Sequence, residues 1–270
     1  MKKITITTLA AITLALAACT GAPEAGEPGF YADGIATAVI NATLPATRAN
    51  QPGDALVKTQ FDAGDEIDIV YFNGNASKTI NATYDGTHWN TDRDFYINTS
   101  GNQYILAEYL VLPTFDAQTG ITTYYDELRA SGTILPPANA GERYTVNLPF
   151  YHWNNLLTVN LVYTDGTPIN SDAPIYIYTL LIGNGDEVKL ATDANRQCIV
   201  PVSSYILHAT TTLPDGREIN ATAPGDGILV TGGKTETLNI TLGQRTATLD
   251  IGQNEIPAWG ENIDGNVTQP

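Results

Sequence analysis

The sequence predicts an all-β protein, and three observations carry that expectation. Apolar residues alternate with polar ones in runs rich in Val, Ile, Thr and Tyr, as with Tyr144, Val146, Leu148 and Phe150 against Thr145 and Asn147. Turn dipeptides recur between such runs, at Asn73-Gly74, Asp85-Gly86, Asp165-Gly166 and Asp215-Gly216, each suited to the positive φ of a tight hairpin. No apolar face keeps helical spacing for three turns before Gly, Pro or a β-branched cluster interrupts it, so any helix is short. Hairpin signals imply antiparallel pairing, and the expected form is a set of antiparallel β-sandwiches.

The chain begins with Lys2 and Lys3 before an uncharged run from Ile4 to Ala18, which closes on Leu16-Ala17-Ala18-Cys19. That run is too short to cross a bilayer, which takes about 20 residues, and no stop-transfer charge follows. Residues 1–18 are therefore expected to be a lipoprotein signal peptide, with Cys19 acylated as the new N-terminus. The plainer alternative is an ordinary cleaved signal followed by a chance cysteine. Several acyl chains on one residue anchor firmly, because each buried methylene contributes about 0.8 kcal/mol. Residues 19–29, rich in Gly, Ala, Pro and Glu, cannot bury enough apolar area to offset ordering entropy and read as a tether.

The first strand is expected from Ile35 to Leu44, ended by Pro45, with Ile35, Val39 and Leu44 among its core residues. Glu66 to Phe72 alternates as a second strand, and Tyr104 to Leu112 forms an apolar run stopped by Pro113. Residues 117–141, with Pro136-Pro137 inside, read as loop. A strand pair follows, over residues 144–150 and 157–163, and later strands are expected near residues 175–182, 199–209, 228–230, 237–242 and 247–251. About 250 residues follow the signal, enough for two domains with real cores. The expected division is an N-terminal domain over residues 30–145 and a C-terminal domain with its tail over residues 146–270.

A formal charge of -16 repels phosphate backbones, which argues against a nucleic-acid partner. The two cysteines are Cys19 and Cys198; with the first lipidated no intramolecular disulfide forms, and Cys198 reads as a small buried hydrophobe. The sequence holds no Gly-x-Ser-x-Gly, no His-Glu-x-x-His, no phosphate loop and no paired-cysteine zinc spacing. His88, His152 and His208 are far apart in sequence, so no catalytic residue, metal ligand or cofactor is expected. The carboxylates from Asp62 to Asp68 do not follow EF-hand spacing and read as a solvated turn. Tyr124-Tyr125 and the tryptophans Trp89, Trp153 and Trp259 could stack on sugar rings, although strand aromatics ordinarily fill cores.

Several segments, taken in order, resemble the fimbrillin family of type V pilus subunits and related surface lipoproteins. They are Cys19 in its lipobox, Ala46-Thr47-Arg48-Ala49 before Phe61-Asp62-Ala63-Gly64-Asp65-Glu66-Ile67, and Tyr84-Asp85-Gly86-Thr87-His88-Trp89. Val146-Asn147-Leu148-Pro149-Phe150-Tyr151-His152 and the closing Ile256-Pro257-Ala258-Trp259-Gly260 complete the pattern, which runs over most of the mature chain. The resemblance implies two tandem transthyretin-like sandwiches, an outer-membrane destination at the cell surface, and a structural or adhesive role rather than an enzymatic one. It also implies cutting by an arginine-specific protease after the first strand, at Arg48-Ala49, with a strand from a neighbouring pilus subunit then filling the opened groove. The candidate donor strand lies in the C-terminal part, from about Ala247 to Pro270. Anchor subunits of the family keep their lipid uncut. The alternative is a monomeric lipid-anchored protein that binds a glycan or another ligand.

Overall fold

The computed structural model describes residues 35–44, 56–74, 76–99, 103–139, 141–243 and 247–252. Cys19, Arg48, Ala49 and Trp259 lie outside them. Among the described residues there is no helix, and the strands form two sheets.

The first sheet runs in the order β4-β3-β2-β6-β9-β10-β1-β5. Its strands are β1 (Ile35–Thr43), β2 (Glu66–Asn73), β3 (Ala76–Tyr84), β4 (Trp89–Thr91), β5 (Tyr96–Asn98), β6 (Gln103–Tyr109), β9 (Leu128–Leu135) and β10 (Tyr144–His152). Strands β4 and β5 stand at opposite ends of this order but are joined by residues 92–95, so the sheet curls around its own core. Period-2 alternation supplies that core: Ile67, Ile69 and Tyr71 of β2 face Ile105 and Ala107 of β6, Leu128 and Ala130 of β9, and Val146, Leu148 and Phe150 of β10. Tyr71 is fully buried, and its hydroxyl is satisfied by donating to Gln103 Oε1 (2.8 Å) and accepting from the Asn98 amide (2.8 Å).

The second sheet runs β14-β11-β18-β19-β16-β15-β12-β13-β8-β7, with β17 paired to β15. It contains β7 (Thr114–Asp116), β8 (Ile121–Thr123), β11 (Asn155–Tyr163), β12 (Tyr176–Leu181), β13 (Glu187–Ala191), β14 (Gln197–Val200), β15 (Ser204–Thr212), β16 (Glu218–Thr222), β17 (Ile228–Val230), β18 (Thr235–Leu242) and β19 (Ala247–Gly252). Its core includes Leu157, Val159, Leu161, Ile177, Ile206, Leu238 and Ile240. Cys198 lies there in β14, a free thiol that burial pushes up to about 12, as its apolar neighbours in sequence suggest.

The glycines of all four turn dipeptides adopt positive φ, from 60° at Gly74 to 98° at Gly86. Three features depart from expectation. Pairing is not purely antiparallel, because β1 runs parallel to β10, β11 to β18, β8 to β13 and β16 to β19. In the first of these pairs β1 meets β10, the last strand of its sheet, after the intervening chain has built the rest, and β11 and β18 are separated in sequence by six strands, β12 to β17. Residues 117–141 are not a loop: β9 runs through the middle of the first sheet, paired to both β6 and β10. The β7-β8 hairpin, although it follows β6 in sequence, attaches to the second sheet through Ile121 and Lys189. The last passage from first sheet to second is at Trp153 and Asn154, after β10 has ended.

Candidate functional site

The first strand and the joint beneath it form the candidate site. Strand β1 pairs with β5 through Ile35 to Thr37 and with β10 through Ala38 to Thr43, so it spans the seam where the curled sheet closes. The Ala38 amide donates to Phe95 O (2.9 Å), and Asn41 Nδ2 donates to Asn147 Oδ1 (2.8 Å). The side chains packed on the core are Ala36, Ala38, Ile40, Ala42 and Leu44, each only partly buried. This corrects the expected facing of the strand: Val39 points outward at 39% exposure, because the register with β10 puts the even-numbered residues inside. Three of the five inward residues are alanines, each burying little more than one methyl, worth about 0.8 kcal/mol. Neighbouring β10 buries Val146, Leu148 and Phe150. Strand β1 is thus held chiefly by backbone hydrogen bonds, at a seam, with little side-chain anchorage.

Residues 45–55, which follow β1 and include Arg48 and Ala49, lie outside the described residues. Beyond them the chain crosses between the sheets. Leu56 and Val57 pack on the second core, whereas Phe61 packs on the first, 4.9 Å from Trp89 and 5.6 Å from Phe150. Lys58, between these anchors, donates its backbone N–H to Asp126 Oδ2 (2.8 Å) and sends its ammonium to Asp65 (2.7 Å) and Asp62 (3.0 Å). Burial works against the charge of Lys58, but these two carboxylates outweigh it and hold the ammonium above its ordinary value. Two members of the carboxylate group from Asp62 to Asp68 are thereby engaged, and Asn81 donates to a third, Asp68. Among the described residues no cluster of three or more His, Cys, Asp or Glu is arranged to hold a metal.

Below this crossing lies a set of buried polar groups, of which the sequence reading noted only His152, as one of three histidines far apart in the chain. Asp126 is 5% exposed and His152 1%, with His152 Nδ1 at 2.8 Å from Asp126 Oδ2. Asn154 Nδ2 donates to Tyr125 O (3.2 Å) while its Oδ1 accepts from the Val202 amide (3.3 Å). Asn155, fully buried, donates to Glu236 (3.1 Å) and accepts from the Lys234 amide (3.1 Å). A signal for it exists in the polar run His152-Trp153-Asn154-Asn155, set between two strands of strict apolar alternation. Such a run in so apolar a setting must find partners or lose stability.

The other singled-out residues are dispersed. His88 is exposed at the β3-β4 turn, and His208 stacks on Tyr178 at 4.1 Å on the second sheet. Trp89 is partly buried against the first core and Tyr124 is buried in the second. Trp153 remains partly exposed. At the proposed donor, β19 is already part of the second sheet: it pairs antiparallel with β18 over six residue pairs and buries Leu249. Residues 253–270 of that segment lie outside the described residues.

No protein family matches the chain, and no curated relative does. Among solved structures, a candidate cell adhesion protein from Bacteroides uniformis aligns over 81% of this chain and 96% of its own, at 15% identity and a TM-score of 0.47. A fimbrial protein from Bacteroides ovatus aligns over 78% of this chain at 14% identity and a TM-score of 0.42, and the chain spans 52% of that protein. The tip fimbrial protein Mfa3 of Porphyromonas gingivalis, truncated at its C-terminus, aligns over 71% of this chain and 94% of its own, at 9% identity and a TM-score of 0.42.

Proposed function

We propose that this chain is a fimbrillin-like structural or adhesive subunit of a cell-surface pilus, carried to the outer membrane through lipid on Cys19 and assembled by strand exchange. The observation that supports the reading is the state of β1, a first strand lying at a sheet seam and presenting mainly alanines to the core. Loss of such a strand forfeits little apolar burial but leaves the facing edge of β10 with unpaired N–H and C=O groups, and an incoming strand would satisfy them. Cutting at Arg48-Ala49 would free β1 from covalent attachment. The crossing at residues 56–61 would stay in place, because its anchors Leu56, Lys58 and Phe61 all lie downstream of the cut.

The test compares the wild type with Arg48→Ala after treatment with an arginine-specific protease. A ladder of polymers is expected from the wild type and monomer from the variant; equal assembly of both would sink the role of Arg48. In the same cells Cys19→Ala should move the protein from the membrane to the soluble fraction, since the acyl chains would be its anchor. Continued membrane association of that variant would refute the lipoprotein reading. An uncut, membrane-held monomer would instead favour the glycan-binding alternative.

A further inference from the structure

The outer face of the first sheet, opposite its core, is not a uniform polar surface. Cross-strand register lays out three rows on strands β2, β6, β9 and β10. One row carries Phe72 and Tyr104, whose rings lie 5.7 Å apart. Another places Glu108 beside Arg129 and Tyr151, and continues to Trp153, whose ring is 6.3 Å from that of Tyr151. The row between them carries Val70, Leu106, Ser131 and Pro149, side chains shorter than the aromatic ones on either side. Tyr104 is 45% exposed and Tyr151 42%, so both rings stand in solvent on either side of a shallow trough. Four residues along β6 separate the two walls, a span of about 13 Å at the usual strand rise.

The polar groups of this face are equally particular. Arg129 is fully engaged: it stacks on Trp153 at 4.0 Å and pairs with Glu127 (2.7 Å) and Glu108 (3.5 Å). It stiffens one wall and offers no free cation. Glu108, exposed at the rim, retains acceptor capacity, and Asn147 and Asn41 present amides at the other end of the trough. The phenol of Tyr151 is held above its ordinary value, by burial first and against the pull of Arg129, with Tyr104, Glu108 and Glu127 near enough to add to the effect.

From this arrangement we infer that the trough between Tyr104 and Tyr151 is a binding face for a neutral oligosaccharide. Aromatic walls suit the apolar faces of pyranose rings, and rim carboxylate and amide groups suit their hydroxyls. Charge complementarity selects against the other occupants. An anionic ligand meets Glu108, Glu127 and a chain of net charge -16. A wholly apolar partner would bury Glu108 and the asparagine amides without giving them hydrogen bonds. Of β1 the trough uses only the outward-facing Asn41, and its aromatic residues Phe72, Tyr104 and Tyr151 stand on β2, β6 and β10, so its failure would leave the pilus reading untouched.

The experiment titrates the full chain by calorimetry with hexasaccharides of glucose, mannose and N-acetylglucosamine, and repeats the titration with Tyr104→Ala, Tyr151→Ala and the double variant. Both side chains are exposed, so folding should survive, as circular dichroism checks. The expected result is binding of at least one hexasaccharide, weakened about tenfold by each substitution and abolished by both, while Tyr163→Ala, an exposed tyrosine on the second sheet, changes nothing. No binding of any of the three, or binding indifferent to the double variant, overturns the inference. So does sedimentation showing that the chain self-associates and that the double variant abolishes it, which would assign the face to a second copy.

Discussion

Replacing Asp126 with alanine is expected to destabilise the protein by about 2–6 kcal/mol, the range for stranding two donors at once. The carboxylate accepts from His152 Nδ1 and from the Lys58 backbone N–H, and both donors are enclosed where water does not reach His152. Without Asp126 each donor loses its acceptor, at about 1–3 kcal/mol apiece, and the crossing at residues 56–61 loses its central hydrogen bond. The measurement is the urea midpoint and slope. A double variant, Asp126→Leu with His152→Leu, removes both polar partners together and should cost less than the single change, because no buried donor on the histidine is then stranded. A single variant within about 0.5 kcal/mol of wild type would mean that the pair is incidental to the joint.

That joint shows where the sequence was readable and where it was not. Strands with large inward residues, such as β2 with Ile67, Ile69 and Tyr71 or β11 with Leu157, Val159 and Leu161, announce themselves by alternation. Strand β9 alternates as strictly, but with Leu128, Ala130, Gly132 and Ile134 inside and Arg129, Ser131 and Thr133 outside. Small inward residues and a central glycine imitate a loop, and Pro136-Pro137 just beyond reinforces the impression. Only the presence of β6 and β10 on either side makes β9 a strand. The parallel pairs are hidden for a different reason. Turn dipeptides specify hairpins between consecutive strands, whereas β1 and β10 meet only after the whole first sheet has been built between them.

The candidate site was legible in part. The extent of β1 was readable from its β-branched run and Pro45, and Leu44 packs on the core as expected, but the facing of Val39 was not readable, because the register turns the smaller alanines inward and the larger valine outward. Asp126, Lys58 and His152 lie far apart in sequence, and their meeting depends on a crossing segment and an inter-strand link that have no local signature. The trough on the first sheet has the same origin: Tyr104 and Tyr151 are ordinary strand tyrosines until β9 is placed between their strands with a small residue, Ser131, at the centre.

Gly132 in that strand should be the least replaceable small residue of the first sheet. A Cβ added there would lie 2.8 Å from Leu148 Cδ2 and 2.9 Å from both Cβ and Cγ2 of Ile105. Leu148 could turn away at some cost in packing, but Ile105 Cβ is fixed to its backbone and both residues are fully buried. The backbone there needs no unusual φ, so the penalty is steric: β6, β9 and β10 approach closely because one inward position is empty. Gly132→Ala should therefore destabilise by about 1–3 kcal/mol, the usual cost of overpacking a dense core. That loss is expected even though the same substitution at an unhindered site gains about 0.4–1 kcal/mol from reduced unfolded-state entropy. Gly132→Val should cost more, since its added methyls have still less room. Urea unfolding followed through Trp89, which packs on this core beside Phe61, reports the affected sheet directly. An unchanged or raised midpoint for Gly132→Ala would show that the three strands can separate freely, and the close packing assigned to β9 would then be wrong.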